Sequence, residues 1–232
     1  MINNISNILK TASVLQASSK HTATVIFMHG LGDTGRGWID VMEMIQEKGN
    51  GHIKFICPTA PIQPVSINNG YRMNSWYDIK SLTSRGGENK HEVDSSKGII
   101  ENIISNEIEN GIPSERILIG GFSQGCALSL YTFYTQKSTK LAGCLGLSGY
   151  MVLSSIFPEL MKGTVNLNQP LRMFHGEDDE VVSFSWGQNA FETLKKEGAN
   201  GEFFSLPFLG HSTCQEEYDL MTEFIKLRLP PQ

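Results

Sequence analysis

The stretch "ILIGGFSQGCALSL", Ile117–Leu130, sets one polar pair, Ser123-Gln124, among three glycines, with an apolar run on either side. Ile117 to Ile119 read as a buried strand, and the run from Gly125 onward reads as a helix. Between them Gly121-Phe122-Ser123-Gln124-Gly125 matches G-x-S-x-G. A strand that turns at once into a helix forces its apex residue into a strained backbone, and side chains on the neighbours would collide there. Glycines at 121 and 125 leave the room that turn needs. The apex serine is then held above the sheet at a helix N-terminus, whose free N–H groups point at the same spot. The backbone amide of Gln124 is thereby a candidate donor to the oxyanion formed when a hydroxyl attacks a carbonyl.

Outward from this turn, strand-like and helix-like segments alternate. "ATVIFMHG" (23–30), "HIKFICP" (52–58), "RILIGGF" (116–122), "LAGCLGLSG" (141–149), "PLRMFHG" (170–176) and "GEFFSLP" (201–207) read as strands. Helical character follows in "GWIDVMEMIQEKG", in "VDSSKGIIENIISNEIENG", after Ser123, in 183–198 and in 214–229. The second of these helices is expected to place Ile100, Ile103, Ile104 and Ile108 on one face. This order predicts an α/β protein with a mainly parallel, twisted sheet and helices on both faces. No linker or repeat divides residues 1–232, so one domain is expected, with a polar extension over 1–20 and a long irregular loop over 58–92. A loop that long in a compact domain is usually a lid or binding segment.

Composition narrows the function. Of 232 residues, 40% are hydrophobic and 19% charged, which is ample material for a core. The formal charge is -5, and no run of lysine or arginine offers nucleic acid or an anionic membrane a foothold. Cys57, Cys126, Cys144 and Cys214 are far apart, with neither a CxxC pair nor a disulfide framework. HExxH and clustered His/Cys spacings are missing too, so neither metal nor cofactor is implied. The N-terminal segment lacks a signal peptide's apolar core, and no apolar run reaches the roughly 18 residues a span needs. A cytoplasmic protein is expected.

A serine hydroxyl needs a base to take its proton. In α/β folds built around such a turn the chain order is serine, acid, histidine. After "RMFHG" come four consecutive acids, Glu177 to Glu180, and after "FFSLPF" comes Gly210-His211-Ser212. His211 is the one histidine that meets both order and loop position, and it is the candidate base. Spacing does not choose among Glu177, Asp178, Asp179 and Glu180.

Gly30-Leu31-Gly32-Asp33-Thr34-Gly35 spells G-x-G-x-x-G between a strand and a helix, as a dinucleotide fingerprint would. The next strand, however, ends Ile56-Cys57-Pro58-Thr59 without the acid that would hold a ribose, and Trp38 adds bulk at the helix start. The glycines serve serine chemistry better. They let the backbone approach Ser123, with the Leu31 amide as second oxyanion donor, and they leave His29 a structural role.

With these sites assembled, the sequence resembles the acyl-protein thioesterases of the carboxylesterase/lysophospholipase family, α/β-hydrolases, from about Thr22 to Pro231. The resemblance rests on "FMHGLGDTGRGW", "KFICPTAPIQPV", "NSWYDI", "NGIPSERILIGGFSQGCALSLYT", "LAGCLGLSGY", "FHGEDDEVV" and "LGHSTCQEE". It implies Ser123 as nucleophile, His211 as base and, through H-G-x-x-D-x-x-V, Asp179 as the acid, with Leu31 and Gln124 as oxyanion donors. It also implies an apolar acyl channel near "NSWYDI", with Trp76, Met73, Ile79 and Leu82 as candidate lining. Glu180 and Ser183 replace prolines common in the family, Cys126 stands where glycine is common, and Gly149-Tyr150 replaces a Cys-Trp-like pair. Ile2 excludes N-myristoylation, which needs glycine there. The expected substrates are acylated proteins or lysophospholipids, reached through transient membrane contact, and a weak homodimer is compatible with the resemblance. The rival readings are a short-chain carboxylesterase of the same fold, a non-catalytic acyl binder and the dinucleotide enzyme.

Overall fold

The computed structural model describes residues 11–81 and 86–232. The strands are β1 (Ser13–Leu15), β2 (Ala23–Met28), β3 (Ile53–Cys57), β4 (Ile62–Val65), β5 (Tyr71–Asn74), β6 (Ile117–Phe122), β7 (Gly143–Leu147), β8 (Leu171–Gly176) and β9 (Gly201–Leu206). The α-helices are α1 (Ile39–Glu47), α2 (Lys90–Glu109), α3 (Gln124–Tyr134), α4 (Phe157–Leu160), α5 (Phe184–Lys196) and α6 (Gln215–Arg228).

Seven strands form one sheet in the order β1-β3-β2-β6-β7-β8-β9. Every pairing in it is parallel except β1 with β3, where Ser13 opposes Cys57 and Leu15 opposes Phe55. The inner strands are mostly apolar because both of their faces are covered, and the polar residues within them, such as Thr24 of β2 and Lys54 of β3, have partners. Alternation assigns the faces. Ile26, Met28, Ile117 and Ile119 point into a core shared with Ile100, Ile104, Ala127, Leu128, Ala190 and Leu194 of α2, α3 and α5. Val25, Phe27 and Leu118 point the other way, against Met42 and Ile45 of α1 and Met221 and Phe224 of α6. The carboxyl ends of β2, β6 and β8 therefore open at one rim, where a doubly covered sheet gathers its functional loops.

Besides β1, which lies inside the stretch read as a polar extension yet pairs with β3, three details differ from the sequence reading. The segment after Pro58 is not irregular throughout. β4 and β5 pair antiparallel, with Val65 opposite Tyr71 and Pro64 opposite Arg72. Proline is tolerated there because an isolated two-stranded ladder is all edge. Asn69 and Gly70 turn the hairpin with φ of 54° and 77°, as an Asn-Gly turn does. Second, α2 starts at Lys90, one turn before "VDSS", because the Asn89 side chain accepts from the His91 amide at 3.0 Å and caps it. Third, Ile108 is exposed and Glu107 takes the buried position beside it. The Glu107 carboxylate accepts from Lys54 Nζ at 2.6 Å and Thr24 Oγ1 at 2.7 Å, so a bound ion pair fills a place that periodicity reserves for an apolar residue.

Candidate active site

β6 ends and α3 begins with Ser123 between them, at φ 55° and ψ -117°. Such a conformation at a non-glycine residue costs roughly 1–3 kcal/mol and persists only where the surroundings over-determine it. Here they do. The Ser123 amide donates to Leu147 O at 2.8 Å, and Ser123 O accepts from the Ala127 amide at 3.1 Å. Gly121 and Gly125 leave no room for side chains: a Cβ on Gly121 would lie 2.5 Å from the Gly125 carbonyl carbon, and one on Gly125 would strike the carbonyl oxygens of Met28 and His29. The end of β2 is thus pressed against the turn. Gly30 follows, where an added Cβ would come within 3.4 Å of Ser123 Cβ.

The structure brings Ser123, His211 and Asp179 into one chain of hydrogen bonds. His211 Nε2 lies 3.0 Å from Ser123 Oγ, and His211 Nδ1 lies 2.7 Å from Asp179 Oδ2. With Nδ1–H donating to the carboxylate, Nε2 is left as the acceptor that faces the hydroxyl. Asp179 Oδ1 accepts from the amides of Val181 at 2.9 Å and Val182 at 2.8 Å. Burial pushes this carboxyl up, but the hydrogen bonds from His175, His211 and the Val182 amide outweigh it and hold Asp179 well below the usual carboxylate range. Asp179 is the buried member of its acidic run; Glu177, Asp178 and Glu180 are exposed. Phe122 flanks the His211 ring, with centroids 4.8 Å apart.

The partners of Asp179 include a group that the sequence reading left without a role. His175 Nε2 sits 2.8 Å from Val182 O and 3.3 Å from Asp179 Oδ2, fully buried behind the carboxylate. Its signal was its place in the H-G-x-x-D stretch. Gly187 makes room for it, since a Cβ there would overlap the imidazole.

The two candidate oxyanion loops close around Ser123. Gln124 is the first residue of α3, so its N–H has no intrahelical acceptor. Leu31 lines the same cavity as Ser123. Gln124 does more than its backbone suggested. Its side chain accepts from the Trp76 amide at 3.0 Å and donates to Tyr77 O at 2.7 Å, fastening the segment after β5 to the nucleophile turn. His29 is satisfied on both nitrogens, by Gly30 O at 2.6 Å and by the Ala60 amide at 3.0 Å, and burial holds it below its ordinary value.

The candidate acyl-channel residues separate. Ile79 lines a cavity of about 240 Å³ with Leu31, Phe122, Ser123, Tyr150, Val181, Val182 and His211. Trp76 is buried behind that site, its indole N–H donating to His29 O at 2.9 Å. Met73 lies on β5, its Sδ accepting from Asn68 Nδ2 at 3.3 Å. Leu82 falls outside the described residues. Tyr150, whose hydroxyl meets that of Tyr77 at 2.8 Å, takes part of the wall. Among the described residues no group of three or more His, Cys, Asp or Glu is placed to hold a metal ion, and no helix is long and apolar enough to cross a membrane.

Residues 9–229 match the phospholipase/carboxylesterase family. The chain is 57% identical to acyl-protein thioesterase 1 homolog 1 of Dictyostelium discoideum, over 97% of this chain and 99% of that one. It is 42% identical to acyl-protein thioesterase 1 of Neurospora crassa, covering 94% and 91%. Among solved structures, Zea mays acyl-protein thioesterase 2 superposes with a TM-score of 0.85 at 29% identity, covering 94% and 98%. Arabidopsis thaliana SOBER1 gives 0.83 at 31% identity, covering 90% and 99%.

Proposed function

This chain belongs to the phospholipase/carboxylesterase family and is an α/β-hydrolase of acyl-protein thioesterase type; from that premise we propose a two-step mechanism in which Ser123, His211 and Asp179 release long-chain acyl groups from protein cysteines. The observation that carries the proposal is the unbroken contact from Ser123 Oγ through His211 to Asp179, at 3.0 and 2.7 Å, beside an apolar cavity.

Ser123 Oγ attacks the thioester carbonyl as His211 Nε2 takes its proton. Asp179, ionised and fixed by two amides, keeps the proton on Nδ1 and stabilises the imidazolium. The carbonyl oxygen gains negative charge between the amides of Leu31 and Gln124. The carbon–sulfur bond then breaks, and His211 returns the proton to the departing sulfur. Water, deprotonated by the same imidazole, attacks the acyl-serine ester; the carbon–Oγ bond breaks, the fatty acid leaves, and His211 returns the proton to Ser123 Oγ. Lysophospholipid esters offer the same carbonyl and are proposed as secondary substrates. A cytoplasmic location and transient membrane contact are proposed with them; Phe208, 92% exposed three residues before His211, supports the latter.

A fluorophosphonate probe is expected to label the wild type and not Ser123→Ala. Acetyl, octanoyl and palmitoyl thioesters, compared in one series, are expected to show preference for the longer chains. Equal labelling of both proteins would refute Ser123 as nucleophile, and a clear preference for acetyl would favour a short-chain carboxylesterase.

A further inference from the structure

Two cavities of different character meet at the His211 imidazole. The first, about 240 Å³, touches Ser123 and is walled by Ile79, Val181 and Val182. The second, about 250 Å³, touches His211 without reaching Ser123 and is walled by Trp38, Ser212, Thr213 and Tyr218. Phe122 and Asp33 border both.

Reaction chemistry assigns them different parts of the substrate. The acyl carbon becomes bonded to Ser123, so its chain stays on the serine side. The proton on His211 must pass to the departing atom, so that atom leaves along the imidazole. The second cavity lies there. Its hydroxyls, with Thr213 bonded to Tyr218, suit a polar backbone better than an acyl tail.

Its charge is one-sided. Asp33 is exposed at the shared mouth, and its carboxylate lies over Gly37, where an added Cβ would come within 2.6 Å of Oδ1. Any larger residue at 37 would displace it. No described lining residue of either cavity is a lysine or arginine, and Arg36 on the same turn faces Asp40 at 3.6 Å. A phospholipid leaving group brings a phosphate to an uncompensated carboxylate. A peptide with lysine or arginine beside its acylated cysteine brings the complementary charge.

We propose that the second cavity binds the leaving group and that Asp33 selects thioester peptides carrying a cationic side chain next to the acylated cysteine. The proposal rests on the reaction given above and ranks its substrates, with cationic peptide thioesters ahead of lysophospholipids. The bond changes are unaltered: carbon–sulfur breaks, carbon–Oγ forms, and the serine proton ends on the peptide thiol.

The test uses two S-octanoyl peptides that differ only in lysine or glutamate on either side of the acylated cysteine, with thiol release followed at low and high salt. The wild type is expected to favour the lysine peptide in kcat/KM by about fivefold at low salt, since each exposed charge contact is worth little more than a factor of two. High salt narrows the gap. Asp33→Asn is expected to abolish the preference and Asp33→Lys to invert it. Lysophosphatidylcholine is expected to turn over more slowly than the lysine peptide. Equal rates for the two peptides, a preference unchanged in Asp33→Asn, or faster turnover of lysophosphatidylcholine would each overturn the proposal. The wild-type comparison and its salt dependence decide the matter even where a variant fails to fold. Failure of the underlying reaction is a different result: neither peptide would be cleaved.

Discussion

Glu217 sits in the first turn of α6, six residues after His211, with its side chain fully buried and neither carboxyl oxygen bonded among the described residues. Burial pushes its carboxyl up to about 8; the Cys214 amide, which makes no full hydrogen bond to it, offsets only part of this. In the unfolded chain the same group titrates near 4.5. Between those values the folded protein holds a proton that the unfolded chain has released, so stability falls as pH rises. Each pH unit is worth about 1.4 kcal/mol, and by pH 7 the accumulated penalty is on the order of 3 kcal/mol. Glu217→Gln keeps the shape and removes the titration. Its buried amide carries a hydrogen-bonding cost of its own, but that cost does not vary with pH. The stability difference between variant and wild type is therefore expected to shift in favour of Gln from about pH 5 to about pH 8 and then level off. Urea unfolding at a series of pH values measures it. A difference that stays flat across that range would refute the reasoning, because it would mean that Glu217 ionises equally easily in both states.

Two further substitutions test the other buried carboxylates. Asp179→Asn is expected to lower kcat by about 10⁴-fold with KM little changed, since the imidazole loses the partner that fixes its tautomer. Steady-state kinetics on an octanoyl thioester checks this. In the wild type the stability from Asp179 is present above its ordinary carboxylate value and lost as pH falls toward its depressed folded one; acid unfolding of the variant is expected to lack that component. Lys54→Met strands Glu107, fully buried, beside Thr24 and a His21 ring that burial holds below its ordinary value. The expected loss is about 3–5 kcal/mol, measured by urea unfolding at neutral pH, and adding Glu107→Gln is expected to recover most of it.

What the sequence made legible follows from which forces act locally. β6 is apolar from end to end and β2 carries only Thr24 as an exception, and a run buried on both faces can be read without knowing its neighbours. The Ser123 turn was legible because steric crowding at one residue dictates glycine on both sides. Asp179 was not separable from Glu177, Asp178 and Glu180 by spacing alone, because what distinguishes it is burial against His175 and two amides, a property of the folded loop. Glu107 was hidden for the same reason: its partners Lys54 and Thr24 come from two other strands. The β4–β5 hairpin did have a local signal in Asn69-Gly70, which Pro64 obscured. Trp76 is not among the residues that line the cavity at Ser123, because its indole N–H is committed to His29 O and its amide to the Gln124 side chain, partners that its place in "NSWYDI" did not reveal.

Gln124 shows how closely the parts of the site depend on one another. Its backbone amide begins α3 beside the strained serine, while its side chain grips Trp76 and Tyr77. The β5 end of the same segment bonds back to the other loop, with the Gly32 amide donating to Asn74 O at 2.8 Å. The Leu31 loop, the hairpin segment and the nucleophile turn are therefore linked in series by hydrogen bonds beside Ser123. A shift in the segment from Asn74 to Tyr77 would disturb both proposed oxyanion donors, because that segment bonds to the Leu31 loop at Asn74 and to Gln124 at Trp76 and Tyr77. Preorganised donors act only if they need no rearrangement when charge develops. The side chain of Gln124, which contacts no substrate in this mechanism, is thus a positioning group for the two amides proposed to do so.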